Sequence, residues 1–308
     1  SGSVTSNWNG SDISCFGLSD GEITALVTGG VAPYTYSKDT VNLGYTSNPV
    51  FTNLSSGLKT IYYKDSQGCK MTESLTLIDP LVMNLLVESV NDITCYGYAD
   101  GDIDITVSGG IQNSVAPFYN YSWYSPSNGF TASSEDLSNI QQSGIYYCNV
   151  TDANGCPVNT PPINVLEPWQ ITFSTAKLNV SCFGDLNGSI SLVVNGGNPP
   201  YTVAWTGPNS YTNNQIINPY SLSQLEAGDY SYTIVDNKGC SPVILPPMIT
   251  LTQPADITFS VTTNEVACFG GDDGLIDLQV SSISNPSFVW TCTSDSSFYE
   301  TSQDVSSL

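Results

Sequence analysis

The chain has 308 residues, 40% of them hydrophobic, enough to bury the cores of two or three ordinary domains. Its 6 Lys and Arg stand against 28 Asp and Glu, a net charge of −22; such a surface repels phosphate backbones and anionic lipid and excludes nucleic acid as a partner. Histidine is absent, which removes the commonest general base and metal ligand. No apolar run approaches the 18 residues of a membrane span, and an enzyme is not expected, carboxylate-only chemistry such as glycoside hydrolysis being the one class left open.

The start, Ser1-Gly2-Ser3, has no basic-then-apolar leader and reads as an internal or processed terminus. A signature then appears: Cys15-Phe16-Gly17, Asp20-Gly21, the alternating Ile23, Ala25 and Val27, and Gly29-Gly30. Asp-Gly before strict alternation is a turn feeding a half-buried strand. Pro33-Tyr34 opens an aromatic strand, and Asp65-Ser66-Gln67-Gly68-Cys69 ends a later one. Ile78-Asp79-Pro80 closes the unit, since proline cannot donate to a ladder. This copy has no Trp in its aromatic strand, so Tyr34 and Tyr36 are expected to fill the space, and Lys59 stands where the other copies have a corner Tyr.

The order recurs at Cys95-Tyr96-Gly97, Asp100-Gly101, Ile103, Ile105, Val107 and Gly109-Gly110, followed by Pro117-Phe118, Trp123, Gly144-Ile145-Tyr146, Asp152-Ala153-Asn154-Gly155-Cys156 and Leu166-Glu167-Pro168. A third copy runs from Cys182-Phe183-Gly184 and Asn187-Gly188 through Gly196-Gly197, Pro200-Tyr201, Trp205 and Gly228-Asp229-Tyr230 to Asp236-Asn237-Lys238-Gly239-Cys240 and Pro254. A fourth begins at Cys268-Phe269-Gly270 and Asp273-Gly274, reaches Trp290, and lacks the corner and the closing Gly-Cys. Successive signature cysteines lie 80, 87 and 86 residues apart. No stretch has sustained 3.6-residue periodicity. The expected fold is all-β: tandem immunoglobulin-like β-sandwich repeats at 1–80, 81–168, 169–254 and 255–308, the last incomplete, with the natural protein continuing past Leu308.

These motifs, in this order, resemble the SprB-type repeat of very long cell-surface adhesins in gliding Bacteroidota. The resemblance implies a secreted stalk or adhesin connected with gliding motility, and it brings no catalytic residues. Neighbouring repeats of the same long chain are the expected partners, together with surface glycans or other filament subunits; insertion of this segment into a membrane is not expected.

Seven cysteines hold repeat positions: Cys15, Cys69, Cys95, Cys156, Cys182, Cys240 and Cys268. Zinc is a poor fit without Cys-x-x-Cys pairs or His, and these positions read as structural disulfides. Two pairings stay open. Cys15–Cys69, Cys95–Cys156 and Cys182–Cys240 would close each repeat on itself, but in such a sandwich the two turns lie at opposite ends. Cys15–Cys156 and Cys95–Cys240 would instead staple repeats stacked end to end. Cys148 has the inward register of a buried free thiol, and Cys292 has no assigned role.

No cofactor is expected apart from candidate calcium. Asp100, Asp102 and Asp104 gather at one turn and Asp272, Asp273 and Asp277 at its equivalent, although Asp at a turn also bonds its own backbone. Sequons at Asn9, Asn53, Asn120, Asn149, Asn179 and Asn187 are no more numerous than composition predicts, and are N-glycosylation candidates only in a glycosylating host. Trp8, Trp169 and Tyr299 lie off the repeat pattern. Three functions follow: a disulfide-stiffened stalk, a glycan- or protein-binding module using end loops such as 112–116, or an accessory region of a carbohydrate-active enzyme.

Overall fold

The computed structural model of the chain describes residues 2–4, 8, 10–38, 44–215, 218–281 and 286–308. Their regular structure is strand throughout, apart from one 3-10 turn at Pro208–Ser210. The chain divides into two compact units, Ser1–Pro168 and Trp169–Leu308.

The first unit holds two separate hydrophobic cores. One gathers Ile13, Ile23, Tyr36, Leu54, Ile61, Tyr63 and Leu77. It lies between a sheet of Gly2–Val4, Gly21–Ala25 and Val50–Leu54 and a sheet of Thr35–Ser37, Gly57–Lys64 and Lys70–Leu77. Tyr36, at the register of Tyr121 and Val203 and two residues before the Trp position of the other copies, packs edge-on against Tyr63 with ring centroids 6.0 Å apart. The other core collects Ile103, Ile105, Tyr121, Trp123, Tyr146, Val150 and Val165. Its sheets are Asn84–Asn91, Gly101–Ser108 and Leu137–Ile140, faced by Thr131–Ala132, Asn120–Tyr124, Gly144–Thr151 and Pro157–Asn159, with Ile163–Val165 pairing along the start of Gly144–Thr151.

Alternation explains why these residues form these strands. Along Gly101–Ser108, Ile103, Ile105 and Val107 are buried while Asp104, Thr106 and Ser108 face water, the two-residue period of a strand with one wet face. Each buried aliphatic side chain contributes about 1.5–3 kcal/mol relative to an exposed one. Trp123 is 1% exposed, and its indole N–H donates to Ser134 O at 3.0 Å, so burying the ring strands no polar group. The Gly-Gly pair that ends the strand needs its glycines: Gly109 has φ +81°, and a Cβ there would stand 2.0 Å from Val82 O.

The second unit repeats the plan. Thr172–Leu178, Gly188–Asn195 and Tyr220–Leu225 form one sheet; Thr212–Gln215, Tyr201–Thr206, Gly228–Asp236 and Ile249–Leu251 form the other. Trp205 stacks on Tyr232 with centroids 4.6 Å apart. Further on, Thr258–Asn264, Leu275–Ser281 and Val305–Ser306 make a sheet beside the pair Trp290–Thr291 and Tyr299–Glu300. This last sandwich is half-covered: Leu278 and Val280 are partly exposed, whereas their equivalents Leu192 and Val194 are 0% and 1% exposed. Ile257 and Phe259 stand open to solvent beside them, around a cavity of about 440 Å3.

The tyrosine corners form as in immunoglobulin-like sandwiches. Tyr146 donates its hydroxyl to Gln142 O at 2.6 Å and Tyr230 to Glu226 O at 3.1 Å, each four residues back. In the first copy Lys59 takes over, its ammonium donating to Ser55 Oγ at 2.9 Å across the same four-residue offset.

Candidate functional site

The site with the most chemistry is the joint inside the first unit, where the Cys-aromatic-Gly loop of one sandwich meets the Asp-x-x-Gly-Cys turn of the next. Cys15 is bonded to Cys156, with Cα atoms 5.6 Å apart and 141 residues between them in sequence. The pairing within each repeat is therefore overturned. Cys15 does not bond Cys69, and Cys156 is not available to Cys95, because the two turns of one sandwich lie at opposite ends while turns of successive sandwiches meet. Cys95 and Cys240 are also disulfide-bonded. Cys69, Cys182 and Cys268, expected as disulfides, are exposed free thiols. The own-repeat candidate for Cys69, Cys15, is held by Cys156, and the own-repeat candidate for Cys182, Cys240, is itself disulfide-bonded.

Both halves of the joint are built by the sequence around the cysteines. On the turn side, Asp152 is 1% exposed and its carboxylate accepts the N–H groups of Ile111, Asn154 and Cys156, each at 2.9 Å. A buried carboxylate is tolerated because three backbone donors surround it. Asp236 does the same for Asn198, Lys238 and Cys240 at 2.7, 2.8 and 2.9 Å. Asp65 does so for Val31, Gln67 and Cys69 at 3.2, 3.0 and 2.9 Å. These donors, the Cys69 amide foremost, hold the Asp65 carboxyl below the usual carboxylate range.

On the loop side, Leu18 N donates to Cys15 O at 3.1 Å, Tyr98 N to Cys95 O at 3.0 Å and Asp185 N to Cys182 O at 3.2 Å. The acidic or amide residue that starts the following strand locks the loop from below. Ser14 N donates to Asp20 Oδ1 at 3.1 Å, Thr94 N to Asp100 Oδ1 at 3.0 Å and Ser181 N to Asn187 Oδ1 at 3.0 Å. The residue ahead of the closing proline clamps it from the side: Gly97 N donates to Glu167 Oε1 at 2.7 Å and Gly184 N to Gln253 Oε1 at 2.9 Å. Across the joint, Asn154 Nδ2 donates to Ser14 O at 3.0 Å. Cys15, Phe16 and Leu18 face Gly110, Asp152 and Cys156 around a cavity of about 320 Å3.

The expected calcium sites are not assembled. Asp100 is spent on the loop, as above; Asp102 accepts both contacts from Asn91 Nδ2, at 2.9 and 3.0 Å. Asp104 turns toward Asp136, and partial desolvation followed by the charges of Asp136, Glu88 and Asp102 raises its pKa. Asp273 accepts Ala267 N at 3.0 Å, the same loop lock, and Asp272 is exposed. Among the described residues no group of three His, Cys, Asp or Glu side chains is placed to hold a metal ion.

Of the sequons, Asn9 lies outside the described residues. Asn53, Asn120, Asn179 and Asn187 are exposed and Asn149 is half-buried in a strand. Asn187 and Asn179 are engaged as acceptors, the latter from Thr252 N at 3.2 Å. Trp8, Trp169 and Tyr299 are exposed. Cys148 is buried, and burial pushes its thiol up to about 11. Cys292 is half-buried, and contact with Ser294 lowers its pKa. Sequence reasoning missed the role of the aspartates four residues before each closing cysteine, buried at Asp152 and Asp236 and half-buried at Asp65, although their fixed spacing in three copies is a readable signal.

Comparison with known proteins adds the family. No curated protein matches the chain. Among solved structures it is similar to the three N-terminal domains of the bacteriophage RB49 highly immunogenic outer capsid protein, at 12% identity and TM-score 0.38, covering 82% of this chain and 95% of that one. It is also similar to the eight N-terminal immunoglobulin domains of Down syndrome cell adhesion molecule, at 13% identity and TM-score 0.37, covering 73% of this chain and 33% of that one. Invasin, a bacterial integrin-binding protein, is similar at 12% identity and TM-score 0.32, covering 98% of this chain and 78% of that one. The model of the SprB repeat matches residues 9–41, 87–128 and 174–210, each match running through a Cys-aromatic-Gly loop and the strand after it. The signature at Cys268 lies outside the matched segments. Three segments of the chain thus match the SprB repeat, and each lies in a sandwich of immunoglobulin-like fold.

Proposed function

We propose that the chain is part of the stalk of an extracellular cell-surface adhesin. In this reading it is a non-catalytic spacer of four repeats, at 1–80, 81–168, 169–254 and 255–308, whose neighbours in the same long chain are its main partners. One observation carries the reading: the Cys15–Cys156 bond crosses from one sandwich to the next instead of closing either. A disulfide placed this way changes what happens under tension. Force entering at the N-terminus can pass from Cys15 through sulfur to Cys156, so these two positions cannot be pulled apart while the bond is intact. Extracellular placement follows from the same bond, since such disulfides persist in oxidising compartments. The acidic exterior keeps neighbouring stalks apart.

Single-molecule stretching tests this. The oxidised chain should unfold without Cys15 and Cys156 separating, and breaking that bond with a reductant should free roughly 480 Å of contour length between them, the 141-residue separation at about 3.4 Å per residue. Full release before reduction would defeat the stalk reading.

A second reading has its own observation. Residues 112–115 with Pro117, Asn120 and Ala153 line an open cavity of about 650 Å3, and the loop is tied internally, Asn113 N donating to Phe118 O at 2.8 Å and Asn113 Nδ2 to Pro117 O at 3.0 Å. This fits a glycan- or protein-binding end loop. Glycan-array binding lost on replacing 112–116 by a short turn would favour it, and a blank array would remove the glycan form.

A further inference from the structure

We propose that the Asp65–Cys69 turn is a covalent docking site for the Cys-aromatic-Gly loop of a further SprB-type repeat, with Cys69 as the acceptor thiol. The proposal rests on the stalk reading and assigns that reading a chemistry at its open positions. Its first support is equivalence: Cys69 and Cys156 end the same Asp-x-x-Gly-Cys turn, and Cys156 is bonded to the cysteine of such a loop. Its second is that the turn is finished without a partner. Asp65 gathers Val31 N, Gln67 N and Cys69 N as Asp152 gathers Ile111 N, Asn154 N and Cys156 N, and Gly68 N donates to Asp65 O at 3.1 Å as Gly155 N does to Asp152 O at 3.0 Å.

A third support is the surface beside the thiol. At the bonded joint the wall made by Gly110, Asp152 and Cys156 faces a second wall of Cys15, Phe16 and Leu18. At the first sandwich the matching wall of Gly30, Asp65 and Cys69 lines a cavity of about 310 Å3, with Tyr34 and Met71 around it and, among the described residues, no Cys-aromatic-Gly loop lining it. The Cys69 thiol is exposed.

The complementary half is present on the same chain. Cys268 is an exposed thiol whose loop has the geometry of the Cys15 loop: Gly271 N donates to Cys268 O at 2.9 Å and Ala267 N to Asp273 Oδ1 at 3.0 Å. Phe269 is fully exposed at the place of Phe16. Cys182 presents a second such loop, also with a free thiol.

The bond forms by thiol–disulfide exchange with a small disulfide oxidant such as glutathione disulfide. The Cys69 thiolate attacks one glutathione sulfur and releases a glutathione thiolate, leaving a mixed disulfide. The loop thiolate then attacks the Cys69 sulfur and releases the second glutathione thiolate. Two thiols are oxidised, one disulfide is reduced, and the two protons pass to the released glutathiones.

The experiment uses the whole 308-residue chain at high concentration in a glutathione redox buffer, read by non-reducing electrophoresis and peptide mapping. The expected result is a ladder of covalent oligomers in which Cys69 peptides are joined to Cys268 or Cys182 peptides. Cys69→Ser should lose the ladder and Cys292→Ser should keep it. A chain that stays monomeric with glutathione on Cys69, or Cys69 bonded to Cys69 or Cys292 as often as to loop cysteines, overturns the proposal. The same map contains the Cys15–Cys156 peptide, so failure of the docking site is distinguished from failure of the stapled stalk.

Discussion

Asp152 shows how much one side chain contributes at the residue scale. Its carboxylate accepts three backbone N–H groups in a site closed to water, and two of these belong to the turn that carries Cys156. Asp152→Ala would leave those donors unpaired and should cost about 3 kcal/mol, read as a lower denaturant midpoint for the second sandwich. It should also slow closure of the Cys15–Cys156 bond, because the turn no longer holds the sulfur in place. A midpoint unchanged from the parent chain would show that the aspartate is not structural. Cys148 makes the opposite point: a thiol raised to about 11 by burial is almost wholly protonated in mildly alkaline buffer. Alkylation of the native chain should therefore label Cys69, Cys182 and Cys268 and spare Cys148 until denaturant is added. Labelling of Cys148 at the rate of the exposed thiols would contradict its place in the core.

At the scale of elements, strands and corners follow from short-range rules, and they were legible. Ile103, Ile105 and Val107 alternate with polar residues, Gly109-Gly110 breaks the strand with positive φ, and Trp123 and Tyr146 recur at fixed offsets because the core needs large rings there. The corner hydrogen bond is a separable contribution. Tyr146→Phe keeps the ring in the core and removes the 2.6 Å bond to Gln142 O, so it should destabilise the second sandwich by about 1 kcal/mol. A loss of several kcal/mol would mean that the ring, not the hydroxyl, had been disturbed. The first sandwich already runs without a corner tyrosine, because Lys59 reaches Ser55 over the same offset. Nothing in the spacing of Lys59 announced this; a lysine at a surface strand position ordinarily reads as solvation.

At the scale of the whole molecule, the acidic composition invites a calcium hypothesis, yet among the described residues no group of three His, Cys, Asp or Glu side chains is placed to hold a metal ion. The aspartates near each Asp-Gly turn are divided among different partners: Asp100 holds the Cys95 loop, Asp102 holds Asn91, and Asp104 faces Asp136. The melting temperature should therefore be the same with a chelator as with millimolar calcium. A rise of several degrees on adding calcium, which binding to the native state alone would produce, would restore the hypothesis. Among the described residues no helix is long and apolar enough to cross a membrane.

The sequence by itself determined the repeat, its all-β character, its strand faces and the family it resembles, because hydrophobic alternation, turn residues and fixed spacing act within a few residues of chain. It left the cysteines undecided between two pairings, since spacing counts residues and a disulfide requires two Cα atoms within about 7 Å. Tertiary structure made that decision by setting the two turns of one sandwich at opposite ends and bringing the Cys15 loop of one against the Cys156 turn of the next. It likewise decided what each aspartate meets, Thr94 N at Asp100 and Asn91 Nδ2 at Asp102, because only the folded chain shows who the neighbours are.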